Sequence, residues 1–263
     1  MPSPLKNLYA RKGYISPIQI IDQNIANAHR TVMEEIESQI GPLHYRAKIH
    51  TVMRSPYELA THPKLLDAVE QLLGPDILIY NVTYIVKEPM SLSYVSWHQD
   101  LTYWGLDSDD QISAWLALSE ASEQSGCMQM IPGSHLQGMK THDIGINDDN
   151  NVLFQSQTVH DIDSASGVMC PLSPGQASLH HGWTLHRSMP NESEDRRIGL
   201  NIQYIAPHVR QTKIHGYSAL LARGTDRYQH FASESPATSK FDSAALGRNE
   251  DMNKLHRAIA ANA

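Results

Sequence analysis

The sequence predicts a mainly β protein with flanking α-helices, built as an antiparallel double-sheet barrel of the jelly-roll kind. The principal helical periodicity lies within residues 16–74. From Pro75 onward the texture changes to short β-branched and aromatic runs, punctuated by Ser125-Gly126, Pro132-Gly133 and Pro174-Gly175. The chain, at 263 residues and 41% hydrophobic, is long enough to bury a full core as one domain. Many short strands after a helical opening pack as two sheets with the helices laid against them.

The elements follow in order. Ile18, Ile21, Ile25, Ala28, Val32 and Ile36 fall at helical spacing and predict a helix over 17–40, opened by Ser16-Pro17 and stopped by Gly41-Pro42. A second helix, 63–73, buries Leu65, Leu66, Val69 and Leu72 and ends at Gly74-Pro75. Strands are expected over 77–86, 112–118, 127–131, 167–172, 176–180 and 197–205, which places the barrel at about 75–210. The segment 141–166 is polar and long for a compact domain, so it is either a lid or a surface insertion. The tail beyond Ser233 reads as peripheral, with a short helix near 251–261.

Composition narrows the function. A formal charge of −7 argues against a nucleic-acid or anionic-membrane surface. No run of about 18 apolar residues occurs, and the first residues lack the apolar core of a secretory signal. Two cysteines, Cys127 and Cys170, make neither a disulfide framework nor a closed zinc site, and suit a reducing, cytoplasmic setting. Fifteen histidines direct attention to metal ligation.

His98 and Asp100 lie two residues apart in SYVSWHQDLTYWGL. In an extended segment both face one side, so an imidazole and a carboxylate can converge on one ion. SLHHGWTLHRSMPN offers His180, His181 and His186 as a third ligand, with His180 and His181 read as strand residues satisfied locally. Two imidazoles and one carboxylate leave three positions open on a six-coordinate metal, which suits ferrous iron with a bidentate co-substrate and dioxygen. In RRIGLNIQYI, period two puts Arg197, Gly199, Asn201 and Gln203 on one face and Ile198, Leu200, Ile202 and Tyr204 on the other. An inward arginine must pair, and its planar fork matches a carboxylate. A salt bridge to Glu192, Glu194 or Asp195 fits Arg196 better.

Through WHQDLTYWGL, SAWLAL, SGCMQMIPGSH, LSPGQASLHH, LHRSMPN and DRRIGLNIQY, the chain resembles the phytanoyl-CoA dioxygenase family of iron(II)/2-oxoglutarate oxygenases, from about residue 59 to 210. The resemblance implies a double-stranded β-helix. It implies His98, Asp100 and His186 as iron ligands, with Arg197, eleven residues beyond His186, holding 2-oxoglutarate. Ser188 matches a position that helps bind the far carboxylate, and Asn81 resembles a polar co-substrate contact. Trp115 walls the same pocket or packs in the core. Asp100 is intact, where related halogenases carry a small residue, so the resemblance implies hydroxylation or a related oxidation with release of succinate and carbon dioxide.

For the substrate, LHYRAKIHTVMR alternates His44, Arg46, Lys48 and His50 with Tyr45, Ala47 and Ile49. If extended, it presents a basic face, either for an anionic group or as the protective charge of an edge strand. Tyr103 and Trp104 line a substrate pocket or sit in the core, and Arg187 and Arg210 are weaker candidates. A small polar or anionic metabolite is expected, such as an aminophosphonate or a natural-product intermediate. The alternatives are a non-catalytic metal- or ligand-binding barrel and a metal hydrolase on the same fold. Loss of a ligand or of Arg197 would favour the first, and the second requires a spare general base beside a metal-bound water.

Overall fold

Residues 3–145 and 148–261 are described by a computed structural model. The order is α1 (Pro4–Lys12), β1 (Tyr14–Gln19), α2 (Gln23–Ile40), α3 (Arg54–Ala60), α4 (Pro63–Leu73), β2 (Ile77–Lys87), β3 (Val95–His98), β4 (Gln111–Ala117), β5 (Met128–Met130), β6 (Val168–Cys170), β7 (Gln176–His180), β8 (His186–Ser188), β9 (Arg197–Ile205), β10 (Ser218–Arg223), β11 (Ala232–Ser233) and α5 (Leu246–Ala261). They form a seven-stranded sheet ordered β1-β7-β4-β9-β2-β10-β11 and a four-stranded sheet ordered β3-β8-β5-β6. No helix among the described residues is long and apolar enough to cross a membrane.

The larger sheet is amphipathic with period two. Its outer face (Ile79, Val82, Tyr84 and Val86 of β2, Ile112, Ala114 and Leu116 of β4, and Ile198, Leu200, Ile202 and Tyr204 of β9) packs with Met33 and Ile36 of α2 and Leu65, Leu66 and Val69 of α4 in the principal core. Its inner face carries the opposite set, with Asn201 of β9 opposite both Thr83 of β2 and Trp115 of β4. A register shift in β2 between Ile79 and Asn81 brings Asn81 opposite Gln203. Gly199 admits the Trp115 indole, because a Cβ there would lie 1.9 Å from its ring.

Three expectations are corrected. The helix expected from residue 17 starts at Gln23, because 14–19 is β1, which pairs with β7 at the sheet edge. An edge strand tolerates Pro17, whose missing N–H costs no interior ladder bond. The alternating segment 44–50 is not a strand. Tyr45 and Lys48 adopt left-handed φ values of 56° and 58°, and Ile49–Thr51 is a 3-10 turn, so no basic face forms. The tail beyond Ser233 is not peripheral either, since α5 contributes His256 and Ala260 to the central cavity.

The described part of 141–166 is tied alongside β3. Tyr94 N–H donates to Asn150, Val152 N–H to Tyr94, and Val159 N–H to Trp97. At the other end of the fold, Lys48 is fully buried and donates to the Tyr80 and Ser218 carbonyls. Its ammonium lies 2.8 Å from Glu234, which also bonds His50 at 2.8 Å. This cluster ties the 44–51 turn to β10 and β11.

Burial disfavours the Glu234 charge, but Lys48 and His50 outweigh it and hold the carboxyl well below its usual value of 4.5. A depressed carboxyl stabilises the fold above its unfolded pKa and loses that contribution as pH falls below it. Glu234→Gln strands a buried ammonium and is expected to cost about 3–5 kcal/mol at pH 7. The gap to the parent should narrow below pH 4.5 in denaturant unfolding followed against pH; a constant gap down to pH 3 would mean that the carboxylate charge is not what Lys48 requires. Gly199→Ala should push Trp115 off the inner face and lower stability by about 1–3 kcal/mol. An unchanged urea midpoint would show that the indole can retreat without loss.

Candidate functional site

The two sheets enclose a cavity of about 180 Å³, lined among others by Asn81, Trp115, Arg197 and Gln203 from the larger sheet and His98, His186 and Ser188 from the smaller. Asp100 follows β3 in a 3-10 turn, Asp100–Tyr103, so its backbone is not extended as the two-residue spacing suggested. Its carboxylate nevertheless meets both imidazoles. His98 is paired with His186 across β3 and β8, and the ligand atoms of His98, Asp100 and His186 all lie within 4.8 Å of one another.

Hydrogen bonding fixes how the imidazoles face inward. His98 Nδ1 lies 2.9 Å from the Ser96 carbonyl and His186 Nδ1 lies 3.0 Å from the Thr184 carbonyl. A carbonyl only accepts, so each Nδ1 carries the proton and each Nε2 presents a lone pair. Those Nε2 atoms stand 3.3 Å and 3.6 Å from Asp100 Oδ1. Two lone pairs and an anionic oxygen converging in a buried place repel one another unless a cation lies between them. Burial, with His98 beside it, holds the His186 imidazole well below its usual range and therefore neutral. Burial opposes ionisation of Asp100, yet its carboxyl lies well below the usual range, helped there by the hydrogen bond that His180 donates to Oδ2. The donor set is ready for a divalent metal.

Arg197 is 2% exposed and its guanidinium lies 4.6 Å over the Trp115 ring. No carboxylate pairs with it among the described residues; its side-chain partner is Ser188 Oγ at 3.5 Å, and its Nε is buried without an acceptor. Burial pushes its pKa down to about 10. Arg196 takes the structural role, bonding Glu37 and Glu88. These acids come from α2 and the turn after β2, whereas the sequence suggested the acids just before it.

Lys87, opposite Arg197 in the β2–β9 ladder, is a residue that sequence reasoning missed. It is 3% exposed, and its Nζ donates to Ser188 Oγ (2.8 Å), Ser188 O (3.0 Å) and the Met189 carbonyl. Burial and then Arg197 push it down to about 6. Lys87 Nζ and the Arg197 guanidinium both donate to the Ser188 hydroxyl, so its own proton is free to point into the cavity. Arg197 and Ser188, which line the cavity at the end of β8, thus offer donors to an anion, while Lys87 is spent on Ser188 and Met189. An inward Lys at the end of a strand whose other face is apolar was the available signal.

The remaining expectations divide. Asn81, Tyr103, Trp104 and Trp115 line the cavity, and Trp104 also packs in the core with Tyr80 and Val209. Lys48 and His50 turn to Glu234, while Arg46 bonds Asn249 on α5 and lies 3.8 Å from Glu250, so none of the three lines the cavity. Arg187 lies at the cavity edge, stacked on Trp97. Arg210 is exposed and bonds His230. Asn201 and Gln203, which period two put on the Arg197 face, line the cavity, as do Tyr45 and His256, to which no site role was assigned. His180, read as a locally satisfied strand residue, instead bonds Asp100.

Residues 18–199 match the family model described as Phytanoyl-CoA dioxygenase (PhyH). A probable alpha-ketoglutarate-dependent hypophosphite dioxygenase of Stutzerimonas stutzeri is 32% identical over 56% of this chain and 52% of its own. An L-proline trans-4-hydroxylase of Streptomyces griseoviridis is 25% identical over 66% of this chain and 70% of its own. The chain spans about half the length of the first curated relatives it matches. Among solved structures, the apo form of the non-heme monooxygenase ThoJ is 30% identical, covers 98% of both chains and superposes with a TM-score of 0.86. With a family match over 182 consecutive residues, more than half of its length, the chain belongs to the phytanoyl-CoA dioxygenase family.

Proposed function

We propose that the protein is an iron(II)- and 2-oxoglutarate-dependent oxygenase that oxidises an aliphatic C–H bond of a small polar metabolite. The observation that carries this reading is the pairing of a three-ligand metal constellation with a buried arginine that lacks a carboxylate partner, in one cavity. The two sheets correspond to the halves of a double-stranded β-helix.

The residues fit the absent groups. His98, Asp100 and His186 would hold iron(II), and three protein ligands leave room for a bidentate keto acid and dioxygen. Arg197 and Ser188 would take the far carboxylate of 2-oxoglutarate, with Lys87 holding the Ser188 hydroxyl and the Trp115 face beneath the guanidinium. Bound iron would supply activation of dioxygen, coupled to decarboxylation of 2-oxoglutarate to succinate and carbon dioxide and to oxidation of the substrate. The chain's own part is to orient and to exclude water. Trp115, Met128 and Val95 supply apolar wall, while Asn81, Asn201, Gln203 and His256 offer uncharged hydrogen-bonding groups to the substrate.

The expected basic strand had suggested an anionic substrate, and its side chains are engaged elsewhere. A neutral polar metabolite therefore suits the wall better than an aminophosphonate. Hydroxylation is the simplest outcome of the intact Asp100, and one relative is named an L-proline trans-4-hydroxylase.

Anaerobic titration of the apo-protein with iron(II) and then 2-oxoglutarate should produce a weak visible absorption band that needs both. Replacing His98, Asp100 or His186 by alanine should remove it, and a band that survives all three would end the assignment. Arg197→Ala and Lys87→Met should instead raise the 2-oxoglutarate dissociation constant about 10–100-fold, the value of hydrogen bonds to a charged group. Iron affinity should stay near that of the parent. The discrimination against 2-oxovalerate, which has a methyl group in place of the far carboxylate, should shrink in both variants; undiminished discrimination would place the carboxylate elsewhere.

A further inference from the structure

Ser113 and His180 face each other across the β4–β7 ladder, and neither is more than 1% exposed. Directly opposed residues point to the same side of a sheet, about 4.5–5.5 Å apart at Cβ. Here that side is the cavity, and both side chains end on one atom. Ser113 Oγ lies 2.6 Å from Asp100 Oδ2, and His180 Nε2 lies 3.1 Å from the same oxygen. The other oxygen, Oδ1, faces His98 and His186. The carboxylate is divided, with one oxygen for the metal and one for the sheet.

Both bonds to Oδ2 have a defined direction. A carboxylate only accepts, so His180 donates from Nε2 and Ser113 from its hydroxyl. His180 Nδ1 is buried and has no hydrogen-bond partner among the described residues. Ser113 stands in a strand whose outward residues, Ile112, Ala114 and Leu116, are core, and its hydroxyl is spent on Asp100.

We infer that Ser113 and His180 form a positioning fork that holds Asp100 to a single ligand oxygen and so keeps a coordination position clear for the keto acid. This rests on the proposed iron site. With Oδ2 released, the carboxylate can swing onto the ion through both oxygens, as carboxylates do when nothing restrains them. A bidentate Asp100 would fill one of the three positions, and a keto acid and dioxygen together need all three. The fork therefore acts on co-substrate chelation more than on metal retention, unlike partners whose loss costs metal affinity outright.

The test compares the full chain with Ser113→Ala, His180→Phe and the double variant, using Co(II) alone for metal affinity and anaerobic iron(II) with 2-oxoglutarate for chelation. Ser113→Thr and His180→Gln keep a donor and serve as folded controls should the first variants unfold. The expected result is a Co(II) affinity within about threefold of the parent, with the 2-oxoglutarate dissociation constant raised tenfold or more and the visible band weakened. The donor-keeping variants should recover most of both. Parental 2-oxoglutarate affinity in the double variant overturns the inference. So does a parallel loss of metal, co-substrate and melting temperature, which marks a merely structural role. A parent that shows no band at all removes the oxygenase reading itself, a failure distinct from a parent band that every variant retains.

Discussion

The structure depends on the pairing of β9 with β2 on one side and β4 on the other. In an antiparallel sheet, the residue period of two makes register a choice between faces, and a slip of one residue exchanges them. In the observed register, Ile198, Leu200, Ile202 and Tyr204 meet the helices, while Arg197, Asn201 and Gln203 face the cavity. A slip would drive a guanidinium into the apolar layer under α2 and α4, at a cost no local contact could recover. The hydrophobic layer between sheet and helices thus sets where the arginine points. The register shift at Ile79 and Asn81 is part of the same constraint, since it brings Asn81 beside Gln203 on the polar side.

Three buried basic side chains sit within this frame, and their partners separate scaffold from site. Lys48 meets a buried carboxylate, Glu234, and two carbonyls, so its charge is answered within the chain. Lys87 meets two carbonyls and a hydroxyl but no carboxylate. Arg197 meets one distant hydroxyl and the face of an indole. Desolvating a cation without an anion is expensive, and Arg197 stands so, opposite a lysine that burial and Arg197 itself push toward the neutral amine. A ligand carboxylate would complete Arg197, which is why the anion pocket is placed at the β8–β9 end.

Much of this was legible because it depends on period and composition. The apolar runs of β2, β4, β7 and β9 and the helix ending at Gly74 follow their local patterns to within a residue or so. The ligand triad was legible because motif and chemistry coincide. The failures have a common cause. Alternation in 44–50 looks like a strand, yet left-handed backbone at Tyr45 and Lys48 breaks it, and no glycine marks the spot. The apolar spacing from Ile18 suits a helix, but Ile15 and Ile18 are claimed by pairing with Leu179 and Ala177, more than 150 residues away. His180 and Lys87 were passed over because their partners, Asp100 and Ser188, are remote in sequence. Local pattern reports local structure; a contact formed by closing a sheet leaves no local trace.

The same reasoning explains why the C-terminal helix, expected near 251–261 and observed over Leu246–Ala261, was read as peripheral. Its docking is substantially polar. Asn249 and Asn253 are buried and bond the backbone of Ala47 and Lys48, and Asn249 also accepts from Arg46. A helix held this way shows only a weak apolar stripe, so periodicity marks it as peripheral. Yet the bonds fix its rotation more narrowly than apolar contact would, because each asparagine must meet a particular carbonyl or N–H. That rotation turns His256 and Ala260 toward the cavity. His256 is held by Tyr217 at 2.7 Å, and burial pushes its pKa down to about 4, so it presents an uncharged ring to the space beside Asn81. The irregular turn at 44–51, which defeated the strand reading, is the surface on which α5 is seated. A strand there would have offered its hydrogen bonds to a sheet; the broken backbone offers them to the helix that forms one wall of the cavity.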